Sequence, residues 1–86
     1  MSKVAPDVRE TWVKQPDEPF DLIVHVEGNM QERSQALQAL GLQVGRSFRL
    51  THTIGLRGTG KQALQLLDIP WVKRVEPDRT VHAFRR

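Results

Sequence analysis

Between Phe20 and Glu76 the apolar residues switch between a period of two and a helical period, and the order of those switches limits the fold more than any other property of this chain. Phe20, Leu22, Val24 and Val26 alternate with Asp21, Ile23, His25 and Glu27, which predicts a strand with one apolar face. Gly28 ends it. Asn29 then precedes Met30-Gln31-Glu32, an Asx cap with Glu at the third helical position, and Met30, Arg33, Ala36, Leu37 and Leu40 follow at helical spacing up to the stop at Gly41. Ala36, Leu37 and Leu40 are the residues this helix is expected to bury. Val44, Phe48 and Leu50 alternate with Gly45, Ser47 and Arg49, and Ile54 and Leu56 resume the period after Thr51-His52, so two strands are predicted. No Asn-Gly or Asp-Gly pair marks their turn, which leaves its position open by a few residues. Thr59-Gly60-Lys61-Gln62 reads as a capping box, Ala63, Leu66 and Leu67 as the buried stripe of a second helix, and Pro70 as its end. Val72 to Glu76 is a last strand, closed by Pro77.

The order strand, helix, strand, strand, helix, strand gives two right-handed crossovers joined by a hairpin. The predicted fold is α+β and ferredoxin-like, βαββαβ, a four-stranded antiparallel sheet with two helices on one face. The other sheet face is left open, with Ile23, His25, Ser47 and Arg49 expected on it. Residues 1–19 mix Pro6, Pro16 and Pro19 with Asp7, Glu10, Asp17 and Glu18 and hold no period for long. They are expected to form a loosely ordered N-terminal arm, with Trp12 and Val13 either docked on the domain or in solvent. Residues 20–78 then form the domain, and residues 79–86 an extended C-terminal tail.

A chain of 86 residues is one domain of modest stability. It has no cysteine, no apolar N-terminal run and no stretch long enough to span a bilayer, so a soluble, cytoplasmic protein without membrane partners is expected. The net charge of +3, from 13 Lys+Arg against 10 Asp+Glu, permits an acidic partner, but the basic residues are scattered. An exposed edge strand leaves the chain a monomer or a weak homodimer.

Signals for chemistry are weak. Gly55-Leu56-Arg57-Gly58-Thr59-Gly60-Lys61-Gln62 comes within one residue of a phosphate-binding loop, but Gln62 stands where a hydroxyl should hold magnesium, and the capping box accounts for Thr59 and Gln62. His25, His52 and His82 lie on separate elements, so neither a metal site nor a cofactor is expected. Ser34 in a helix and Ser47 in a strand lack a nucleophile context, which argues against an enzyme. RNA-binding modules share the predicted fold and stack bases on aromatic residues of the central strands. Here those outward positions are Ile23, His25, Thr53 and Gly55, while Phe20 and Phe48 fall on the helix-facing parity. A small basic nucleic-acid-binding module is therefore the alternative reading.

From Phe20 to Phe84 the sequence resembles the propeptide domain of subtilisin-like serine proteases, the inhibitor I9 family. The resemblance lies in the first strand, the helix from Thr59 to Leu67, and Pro70-Trp71-Val72-Lys73-Arg74-Val75-Glu76-Pro77-Asp78 followed by Val81-His82-Ala83-Phe84. It implies the ferredoxin-like fold, an open sheet face packed on two surface helices of the protease, and Glu76 and Asp78 capping the N-termini of those helices. It also implies a tail lying in the active-site cleft as a product would, with Phe84 in the first specificity pocket, Ala83 and His82 next, and Val81 in the fourth. Arg85 and Arg86 follow Phe84, and a shifted register would bring an Arg to the first pocket instead. Because the chain starts at its own Met1 and stops two residues after Phe84, the expectation is a stand-alone inhibitor, or a trans-acting chaperone-like partner, of a subtilisin-like serine protease.

Overall fold

The computed structural model describes residues 3–78, and its elements follow in the order α1 (Pro6–Lys14), β1 (Pro19–Val26), α2 (Met30–Ala39), β2 (Gln43–Phe48), β3 (Thr53–Thr59), α3 (Gly60–Leu66) and β4 (Val72–Pro77). The strands form one sheet in the order β2-β3-β1-β4, every neighbouring pair antiparallel. This is the ferredoxin-like arrangement, with an additional helix in front of it. No helix among the described residues is long and apolar enough to cross a membrane.

The local signals account for most element ends. The Asn29 side chain accepts from the Glu32 amide at 3.0 Å at the start of α2. At its other end Gly41 takes φ +94°, its amide bonds the Gln38 carbonyl, and the Leu42 amide bonds the Leu37 carbonyl. That is a Schellman ending, in which the apolar residue after the glycine packs with the one five positions earlier. Leu37 and Leu42 are both buried. The chain reversal turns Leu40 outward instead, leaving it 45% exposed, and Ala36 only half-buried, contrary to the expected stripe. The α3 capping box is complete: Gln62 N–H donates to Thr59 Oγ1 at 3.2 Å, and the Thr59 amide donates to Gln62 Oε1 at 2.9 Å.

The N-terminal arm is the main correction. Residues 6–14 are helical, and Trp12, only 1% exposed, joins Val4 in the same core as Leu22, Val24, Leu37, Ile54, Leu56, Ala63 and Leu66. Pro6 sits at the first helical turn, where its missing N–H costs nothing, Asp7 is in the first turn and Lys14 in the last. Val8 and Trp12, one turn apart, face inward. The helix seats on α3 through Gly60, where a Cβ would lie 2.5 Å from the Gln15 carbonyl oxygen and 2.7 Å from that of Trp12. Any other residue would push the two apart. The Gly60 and Lys61 amides donate to the Glu18 and Pro16 carbonyls, so the linker after α1 also ties down the start of α3. Residues from Lys3 onward therefore belong to the domain, and no boundary falls at residue 19. Lys3 itself accepts from the Val75 amide at 2.8 Å, pairing part of the outer edge of β4.

Candidate functional site

Alternation along β1 and β3 separates the two sheet faces. Leu22, Val24 and Val26 lie opposite or beside Ile54 and Leu56 on the face covered by α2 and α3. Asp21, Ile23 and His25 lie opposite Arg57, Gly55 and Thr53 on the other face, which no helix among the described residues covers. β4 adds Glu76 opposite Ile23 and Arg74 opposite His25.

The edge strand β2 departs from simple alternation. Val44 pairs with Leu56 but Arg46 pairs with Gly55, so Gly45 is an extra residue forming a β-bulge. Beyond it the parity is reversed. Arg46 and Phe48, opposite Gly55 and Thr53, stand on the open face, while Ser47, opposite Ile54, does not. The expectations for Phe48 and Ser47 are thus both overturned by one inserted residue. Arg49 and Leu50 fall in the turn 49–52, which His52 closes with φ +54°, and Leu50 is fully exposed there instead of continuing the strand.

Rows running across the strands describe the resulting surface. One reads Arg46, Gly55, Ile23, Glu76, and a neighbouring one reads Phe48, Thr53, His25, Arg74. Arg57 grips Asp21 with Nε to Oδ1 at 3.1 Å and Nη2 to Oδ2 at 3.4 Å, a two-pronged pair on a half-exposed surface. Glu76 Oε2 lies 2.9 Å from His25 Nε2 and 3.3 Å from Arg74 Nε. A groove of about 690 Å³ runs over Gly55 between Ile23, Arg46, Phe48, Arg57, Asp21 and Asp78.

Of the residues singled out in the sequence, Glu76 is on the open face and Asp78 lines the groove, its amide bonded to the Asp21 carbonyl at 2.8 Å. Val81, His82, Ala83 and Phe84 lie outside the described residues. His25 and His52 are on different elements, and among the described residues no group of three or more His, Asp or Glu is placed to hold a metal. The stretch from Gly55 to Gln62 runs from strand straight into helix. The amides of Gly60, Lys61 and Gln62 are bonded to Glu18, Pro16 and Thr59, so they are not presented to a phosphate. His25, Arg74, Arg46 and Phe48 were missed as neighbours of the acids. Only strand register joins them, although Gly45 between Val44 and Arg46 is the kind of residue that marks a bulge.

No protein-family model, curated protein or solved structure matches this chain.

Proposed function

We propose that this chain is a binding module that inhibits a subtilisin-like serine protease by docking the open face of its sheet and laying residues 81–84 in the active-site cleft. The observation that carries this reading is a sheet face that no helix among the described residues covers, whose outer strand β4 bears Glu76 and is followed in the chain by Asp78 and residues 79–86. A carboxylate on such a face suits the unsatisfied amides and positive end of a partner helix. His25 and Arg74 already hold the Glu76 carboxylate. Docking then adds donors to an oriented group instead of ordering a free one, which lowers the entropic cost of the contact. Laid in the cleft, residues 81–84 supply backbone pairing along its edges, and their side chains supply selectivity.

The test is inhibition of a broad-specificity subtilisin by the full chain and by a chain lacking residues 79–86. The full chain inhibits competitively and the shortened one does not, while its circular dichroism is unchanged; equal potency of the two refutes the mechanism. Glu76→Ala with Asp78→Ala weakens inhibition by about 1 to 2 kcal/mol.

One observation favours a second reading. The bulge at Gly45 puts Phe48, 46% exposed, on the open face beside Arg46, an aromatic platform next to a cation. On that reading the chain binds single-stranded RNA with a steep salt dependence, and binding survives loss of residues 79–86.

A further inference from the structure

Backbone parity separates the two edges of the sheet. In an antiparallel ladder each residue directs its N–H and C=O to one side, and the side alternates along the strand. The Val26 amide bonds the His52 carbonyl and the Asp78 amide bonds the Asp21 carbonyl. With the register, these two bonds set Ile54 and Leu56 bonding toward β1, and Thr53, Gly55 and Arg57 toward β2. Their partners Phe48, Arg46 and Gln43 therefore bond inward. Ser47 is left with its N–H and C=O pointing out of the sheet, and no group among the described residues takes them. The β4 edge differs. Val75, whose parity there is outward, donates to the Lys3 carbonyl, and Pro77 has no N–H to offer, two ways of closing an edge that β2 lacks beyond its bulge.

We infer that the β2 edge pairs with the β2 edge of a second copy of this chain, antiparallel about a two-fold axis at Ser47, so that one sheet continues through both copies. The register follows from the residues. Ser47 facing Ser47 of the second copy lets the two exchange both outward hydrogen bonds. Arg46 then lies opposite Phe48 of the second copy and Phe48 opposite its Arg46, which places a cation beside an aromatic ring twice on the open face. An axis at Arg46 would oppose like charges, and an axis at Phe48 would need residues 49 and 50, which lie in the turn. The contact also gives an apolar neighbour to Phe48, which is 46% exposed in the single chain. Because the bulge at Gly45 ends the regular stretch, the contact is short and the dimer weak. The inference uses neither functional reading and stands or falls apart from both.

The experiment is sedimentation equilibrium of the parent, Ser47→Pro, Phe48→Ala and Arg46→Glu from about 10 µM to 1 mM, the range suited to weak association, with thermal melts to verify folding and hydrogen exchange of the Ser47 amide. The average mass of the parent rises with concentration from monomer toward dimer, and exchange at Ser47 slows in step. Proline at position 47 removes the outward N–H and no bond to β3, so Ser47→Pro folds and stays monomeric. Phe48→Ala and Arg46→Glu each raise the dissociation constant at least about fivefold, since each change acts twice across the axis. A parent that stays monomeric to 1 mM overturns the inference, as does a folded Ser47→Pro protein that dimerises as the parent does. Should Ser47→Pro not fold, Phe48→Ala and Arg46→Glu decide: dimerisation unchanged in both overturns the pairing, and weakening in both upholds it.

Discussion

The two faces of one sheet, built from the same strands, have opposite physical characters. Leu22, Val24, Ile54 and Leu56 are closed under α2 and α3 with almost no exposure. One residue along the chain in each case, Asp21, Ile23, Gly55 and Arg57 face outward in a mixed surface of ion pairs, one large apolar group and a hollow. Burial of apolar area gives the first face its contribution to stability. On the second, ion pairs are half-exposed and contribute little, so its composition bears only weakly on stability. The lesson is that the share of stability each residue carries is set here by the pleat itself, not by distance along the chain.

The separation can be broken most strongly from the covered side. Trp12→Ala removes the largest buried side chain and should cost about 3 to 5 kcal/mol in urea unfolding; a loss under 1 kcal/mol would mean that α1 is not part of the core. Next comes Gly60→Ala, which drives a methyl into the Gln15 and Trp12 carbonyls and should cost about 1 to 3 kcal/mol. If instead its melting temperature matches the parent, the seat of α1 on α3 is wrong. Smallest of all is Arg57→Ala on the open face. It breaks the pair with Asp21 yet should change stability by at most about 1 kcal/mol, less at high salt. A large loss there would erase the distinction between the faces.

Much of this architecture was legible because its signals are local. The Asn29 cap, the Gly41 stop, the Thr59–Gln62 capping box and the alternation of β1 each involve residues a few positions apart, and each operates as read. Burial of Leu40 was misjudged because the Schellman turn passes its place in the core to Leu42, which lies beyond the helix and outside its period. The helix at residues 6–14 was missed for a different reason. Nine residues are too few to be stable alone, and a single turn-spaced pair, Val8 and Trp12, is a faint pattern until α3 is beside it. At the candidate site Glu76, in the last strand, and Asp78, just after it, stand out in the sequence only through the family resemblance. Their neighbours do not, because His25 is 51 residues from Glu76 in the chain and meets it only through the pairing of β1 with β4.

By itself, then, the amino-acid order determined the succession of elements, their caps and stops, and which alternate residues of β1 and β3 face inward, since these depend on short-range hydrogen bonds and on the pleat. Only the tertiary structure decided that the first residues form a docked helix and that a bulge at Gly45 turns Arg46 and Phe48 outward. Both follow from contacts between segments distant in the chain, where a neighbouring helix or strand, not the local period, sets the lower free energy.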